Sequence, residues 1–233
     1  MPSPSTLEQV QRESRARLHP SLRNPSWLVL RRRRQIFEAG LDRLPGSGLC
    51  VLDIGGRLQP YRPLLGARAK IYVAIDVQMT PLVNAGATAE ALPFRDEQFD
   101  FVICTQVFEY LPDPRVAVAE IKRVLRKGGA LFLSAPSVFL RDNEKEYWRF
   151  LPAGLRFLLR EFEAVEVMPE GNSLTGFLRT CNVFMASFFR PRALAKLWHW
   201  TLVPFLNIVG FLAEELAGGN DQFTVNYSVW ARK

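Results

Sequence analysis

The sequence predicts a doubly wound α/β fold: a mainly parallel, seven-stranded sheet with helices on both faces and an apolar helical insertion before its last strand. Three observations lead there. Short apolar runs alternate with amphipathic stretches from Leu49 to Met168. The first run, Cys50 to Ile54, is broken only by Asp53 and ends on Gly55-Gly56, where a chain leaving a buried strand can turn sharply. A later run, Ile71 to Ile75, ends on Asp76. In doubly wound folds an acid at that place, about 20 residues after the glycine turn, bonds ribose hydroxyls. The opening therefore reads as a nucleoside-binding crevice.

Residues 1–25 are rich in Ser, Pro, Arg and Gln and are expected to be a flexible lead-in with one helical turn around Leu7 to Leu18. From Ser26 to Leu44 the apolar residues Leu30, Ile36, Phe37, Leu41 and Leu44 recur at helical spacing. Arg31 to Arg34 lie inside that helix, and four consecutive residues must wrap around it. They read as a solvated face, or as a contact with anionic lipid or a phosphorylated substrate.

Pro45 to Gly48 breaks the helix and delivers the first strand. A short helix opens at Pro60 to Leu65, the second strand runs to Asp76, and a weaker one lies around Leu82 to Ala85. Phe101 to Cys104 is the fourth strand. Val116 to Leu125 is an amphipathic helix, which Gly128-Gly129 should end. Ala130 to Ser134 and Ala164 to Met168 are further strands, with a helix between them at Ala153 to Phe162.

Residues 172–222 differ. Phe177 to Phe189 and Leu197 to Ala213 are strongly apolar. The second stretch is uncharged and near the lower length limit of a membrane span, with Trp198 and Trp200 suited to an interface. Three readings stay open: buried helices over the sheet, a helix lying in a membrane surface, or a span. Thr224 to Ala231 alternates as a final strand, and a chain that returns to its sheet argues against a span.

A chain of 233 residues with 48% hydrophobic and 23% charged residues can build one full core, so a single globular domain is expected. The net charge of +7 favours anionic partners. Three scattered cysteines and two distant histidines support neither a disulfide framework nor a metal site. No apolar leader opens the chain, so a cytoplasmic setting is expected, with membrane association as the open variant.

Several segments in order resemble class I S-adenosylmethionine-dependent methyltransferases, most closely the type-11-like subgroup associated with surface polysaccharide and lipid-glycan assembly. VLDIGG at 51–56 resembles the first cofactor motif and YVAID at 72–76 the second strand. AEALPF at 89–94 and FDFVICTQVFEYLPDP at 99–114 resemble the adenine-side loop and fourth strand. EIKRVLRKGGALFLSAPS at 120–137 resembles the next helix and strand, and YWRFLPAGLRFLL at 147–159 an acceptor-side stretch. The resemblance covers Leu49 to Gly171 and the last strand, and implies a methyltransferase domain over 26–233 with 172–222 as its insertion.

The resemblance implies S-adenosylmethionine as cofactor. Asp53, Gly55 and Gly56 would hold its amino-acid head, Asp76 and Val77 its ribose, and Ala89 and Glu90 its adenine. Thr105, Gln106 and Phe108 would line the pocket near sulfur. Tyr147 and Arg149 are the candidate acceptor contacts, and Glu109 is the candidate general base for a hydroxyl acceptor. The implied reaction is O-methylation of a glycan or lipid-linked saccharide. The sequence departs from the family at Arg57, where a further glycine is usual, at Thr88, where many relatives carry Asp, and at Arg141-Asp142-Asn143, where a His is common.

A nicotinamide oxidoreductase would need glycines at 57 and 60, where Arg57 and Pro60 stand. A nucleic-acid methyltransferase would need an Asn-Pro-Pro-aromatic or Pro-Cys motif, and neither occurs, so no nucleic-acid partner is expected. The alternative left open is a methyltransferase-like scaffold or membrane-associated binding protein without catalysis.

Overall fold

The computed structural model describes residues 6–141, 143–188, 192–216 and 218–233. Asp142, inside one of the family departures, lies outside them. Seven strands form one sheet in the order β3-β2-β1-β4-β5-β7-β6. They are β1 (Leu49–Ile54), β2 (Ala69–Asp76), β3 (Ala85–Gly86), β4 (Phe99–Thr105), β5 (Leu125–Pro136), β6 (Glu163–Pro169) and β7 (Asn226–Arg232). The first five pair in parallel, and β7 runs antiparallel between β5 and β6.

Side chains alternate across a strand, so the central strands feed two cores. Val51, Phe101, Ile103, Phe132 and Trp230 pack on one face with Ile36 and Phe37 of α2 (Trp27–Gly40) and with Leu18, Tyr61 and Leu65. Leu52, Ile54, Val102, Cys104, Leu131, Leu133 and Val229 pack on the other. There they meet Val118 and Ile121 of α4 (Pro114–Val124) and Leu155 of α5 (Pro152–Leu158). Trp230 lies flat on Phe101, ring centres 5.3 Å apart, and its indole N–H donates to the Ile36 carbonyl. Gly40 ends α2 against that indole, where a Cβ would fall 2.0 Å from a ring carbon.

Two expectations are corrected. The lead-in is not one loose turn but the 12-residue helix α1 (Leu7–Leu18), capped by the Thr6 hydroxyl and anchored by buried Val10 and Leu18. Gly128-Gly129 does not end the helix before it. Helix α4 stops at Val124 because Leu125 already pairs with Phe99, and Gly128 takes its φ of +73° inside β5, where its N–H donates to the Lys233 carbonyl. The weak strand near Leu82 shrinks to Ala85–Gly86.

The insertion forms a helical hairpin, α6 (Ser173–Phe188) and α7 (Arg192–Leu216), after the short α3 (Arg62–Leu65) has already opened the first crossover. Gly210 lets α7 approach α2 closely, since a Cβ there would sit 2.6 Å from Leu28. No described helix is long and apolar enough to cross a membrane.

Candidate functional site

The strand order reverses beside β1: β2 lies on one side and β4 on the other. Their carboxyl ends open a crevice where doubly wound sheets bind ligands. Gly55, with φ of +77°, makes the turn, and the N–H groups of Gly55 and Gly56 both donate to the Ile75 carbonyl. A side chain would not fit at either position. A Cβ on Gly55 would strike Val107 at 2.4 Å, and one on Gly56 would lie 2.8 Å from the Asp53 carbonyl oxygen. The turn is thereby pressed against the loop after β4.

Asp53 is buried beneath it and accepts a hydrogen bond of 2.6 Å from the Tyr72 hydroxyl. Burial lifts its pKa to about 7, with the Tyr72 hydrogen bond opposing the rise and the Asp76 charge adding to it. Asp76, at the tip of β2, accepts from the Gln78 N–H through Oδ1 at 2.8 Å. Its Oδ2 accepts no hydrogen bond among the described residues. Val77 follows, its side chain exposed. The Arg57 guanidinium donates to the Gln78 side-chain oxygen, beside the Asp76 tip.

On the far side, Thr105 ends β4 opposite Ser134. Gln106 adopts φ of +56°, donating its backbone N–H to the Ser134 carbonyl and its side-chain amide to the Ser134 hydroxyl. Phe108 is fully buried, edge-on to Phe150. Ala89 is buried in the same core, and the Glu90 carboxylate turns to accept from the Asp113 N–H at the start of α4. Thr88 is exposed.

Glu109 is 3% exposed, and its Oε2 has no hydrogen-bond partner among the described residues. Burial raises its pKa to about 7, with its own backbone hydrogen bond and the Arg33 charge opposing. The stretch Tyr147–Phe150 drapes over it: the Tyr147 N–H donates to the Glu109 carbonyl at 2.7 Å and the Trp148 indole to the Leu111 carbonyl. Tyr147 is exposed, while Arg149 is held by the Glu146 carboxylate and the Leu140 carbonyl. Fold and register thus bring Glu109, Tyr147 and Arg149 to one neighbourhood beside Gln106.

Sequence reasoning missed a buried polar network. Glu170, just past β6, accepts from Arg33 Nε at 2.8 Å, from Ser134 at 2.6 Å, from Ser228 at 2.7 Å and from Asn226 at 3.2 Å. Burial alone would lower the Arg33 pKa, but the Glu170 carboxylate more than reverses that and holds it above the usual arginine value. Polar residues at 134, 226 and 228, in strands otherwise apolar, were the signal available. The arginine run is divided as the helix requires: Arg33 is buried, Arg31 pairs with Glu214, Arg34 pairs with Glu38, and Arg32 is exposed.

Residues 52–133, from β1 to β5, match the family model described as a methyltransferase domain. Those residues make up about a third of the chain, and the methyl donor that such a domain implies is S-adenosylmethionine. The chain is 43% identical over 99 residues to an uncharacterized protein, MJ1123, from Methanocaldococcus jannaschii, covering 42% of this chain and 48% of that one. It is 27% identical over 178 residues to the ubiquinone/menaquinone biosynthesis C-methyltransferase UbiE of Marinomonas sp., covering 63% and 69%. It spans about half the length of most of the curated relatives it matches. A solved SAM-dependent methyltransferase from Archaeoglobus fulgidus shares the fold, with a TM-score of 0.52 at 15% identity over 86% of this chain and 94% of that one.

Proposed function

We propose that the chain is an S-adenosylmethionine-dependent O-methyltransferase whose acceptor is a hydroxyl of a glycan or lipid-linked saccharide. The observation that carries the oxygen chemistry is the buried, unpartnered Oε2 of Glu109, next to the loop that borders the crevice. A buried carboxylate with a pKa near neutrality can take a hydroxyl proton in the working pH range.

The residues of the crevice fit the donor. Gly55 and Gly56 carry no side chain to stand between the turn and a donor, and Asp53 offers a carboxylate that a neighbouring ammonium would restore to its ionised form. The open Oδ2 of Asp76 suits ribose hydroxyls, with Val77 beside it. Ala89 and Glu90 border the adenine side through their backbone, and Thr105, Gln106 and Phe108 shape the wall between donor and acceptor. When bound, the sulfonium supplies an already activated methyl group. The chain's work is then to hold the acceptor oxygen in line and to exclude water. Glu109 receives the hydroxyl proton at Oε2 as the oxygen gains the methyl carbon and the carbon–sulfur bond breaks. Tyr147 and Arg149 contact the acceptor. A lipid-linked acceptor would be met on the cytoplasmic side of a membrane surface, and residues 197–213 offer an apolar face to it.

The test is direct. Purified chain is titrated with S-adenosylmethionine, and cell-envelope glycans and lipids are compared by mass with and without the intact gene. Saturable binding together with the loss of one methyl group from a glycan or lipid is expected. Absence of binding would overturn the transferase reading, and binding without any change in those extracts would overturn the acceptor.

A further inference from the structure

We infer that the side-chain carbonyl of Gln106, held in one orientation by a chain of contacts through Ser134 to Glu170 and Arg33, is the acceptor that meets the positively charged end of the methyl donor. The inference rests on the S-adenosylmethionine reading and names one wall of that site. Glu170 fixes which way the amide points. Both its oxygens lie 2.8 Å from Arg33 Nε in a place closed to solvent, and a carboxylate so paired only accepts. The buried Ser134 hydroxyl is 2.6 Å from Oε1 of that carboxylate, so its one proton is donated there. Toward the end of the Gln106 side chain, 3.2 Å away, the same hydroxyl oxygen can only accept. The group of Gln106 that faces Ser134 is therefore its NH2, a choice settled by the neighbours. A reversed amide would set two oxygen lone pairs against each other with no proton between them.

The carbonyl oxygen thus turns away from Ser134, and it accepts no hydrogen bond among the described residues. The backbone is clamped as well, with a left-handed φ of +56° and an N–H that donates to the Ser134 carbonyl at 2.8 Å. A residue other than glycine keeps that conformation where its surroundings over-determine it. The next residue, Val107, presses on the glycine turn, where a Cβ on Gly55 would fall 2.4 Å from its methyl group. Gln106 therefore borders the turn at the carboxyl end of β4. Burial first, then the charges of Glu109 and Asp53, push the Cys104 thiol up, so both carboxyls lie near that same strand end. Arg33 and Arg149, whose charges reach Glu109, are held by Glu170 and Glu146. Acceptors gathered at Asp53, Gln106 and Glu109 suit a ligand that brings its own cation. S-adenosylmethionine brings an ammonium on its amino-acid head and a sulfonium beside it. Ser134 is then a positioning residue: without its hydroxyl the amide is free to turn over and set its NH2 against the cation.

The purified full chain is titrated with S-adenosylmethionine, with S-adenosylhomocysteine, which lacks the sulfonium, and with adenosine, which lacks both cations. Gln106→Met keeps the length of the side chain and removes its carbonyl. It should weaken S-adenosylmethionine by about tenfold to a hundredfold, the loss of one contact to a charged group, and leave adenosine within about twofold. S-adenosylhomocysteine separates the two cations. An equal loss there assigns the oxygen to the ammonium, and an unchanged affinity assigns it to the sulfonium. Ser134→Ala should weaken the same ligands, and the double variant should bind no more weakly than Gln106→Met alone, because Ser134 acts through the amide. Losses that add would show Ser134 to be structural support and overturn its positioning role. Unchanged S-adenosylmethionine binding by Gln106→Met, or an equal loss of all three ligands, would overturn the inference. A wild-type chain that binds none of the three would instead sink the transferase reading.

Discussion

Arg33 and Glu170, 137 residues apart in the chain, meet with the arginine Nε 2.8 Å from both carboxylate oxygens in a place closed to solvent. The pair ties α2 to the end of β6 and, through Ser134, to the Gln106 turn. Removing one partner leaves a buried charge unanswered. Arg33→Met or Glu170→Gln should each cost about 3–5 kcal/mol in urea unfolding. The double variant should cost clearly less than their sum, because it leaves no orphan charge.

Asp76 stands at an open strand tip with Oδ2 unengaged. Asp76→Ala should leave the unfolding midpoint within experimental error while weakening S-adenosylmethionine binding by about tenfold to a hundredfold. That is the loss of one or two hydrogen bonds to a charged group. Calorimetry on the purified chain decides it.

Glu109 must be ionised to accept a proton. With its pKa raised to about 7, methyl transfer should climb as pH rises through about 7 and level off above it. Glu109→Gln should flatten that limb and lower the maximal rate by about 10²–10⁴-fold, the usual range for a positioned base. Unchanged donor binding in the same variant would separate catalysis from folding.

Asp53 and Glu109 also set a stability slope. Both have folded pKa values raised to about 7 by burial, well above their unfolded values. Between about pH 4 and pH 7 the folded chain therefore holds protons that the unfolded chain has released. Stability without donor is full below that window and falls as pH rises through it. Asp53→Asn should make the slope shallower in pH-dependent urea melts.

Gly40 has no room for a methyl group beside Trp230. Gly40→Ala should destabilise by about 1–3 kcal/mol through overpacking, with donor binding retained when the protein is folded. Thermal unfolding followed by tryptophan fluorescence measures it.

Local pattern carried most of the fold. The run Val51–Ile54 with Gly55-Gly56 at its end, and Ile71–Ile75 with Asp76 at its end, read as strands because a fully buried parallel strand needs continuous apolar residues and a turn needs glycine. The same stretches marked where the crevice lies. Gly128-Gly129 misled because glycine past a helix usually caps it. Here the pairing of Phe99 with Leu125, a contact between distant segments, ended the helix at Val124, before the glycines could cap it.

The sequence by itself determined that the sheet is doubly wound, through its alternation of strands and helices, and the place of its glycine turn and the acid at the neighbouring tip, since the last two follow from spacing within some thirty residues. Only the tertiary structure decided the fate of the arginines. Arg33 looked like one cation of a surface run until Glu170, Ser134 and Ser228 closed around it, and Arg57 found its partner Gln78 only once the glycine turn and the tip of β2 were brought together. Periodicity reports which face of an element is apolar. It does not report which distant carboxylate will meet a buried charge, because that is fixed by how the elements cross.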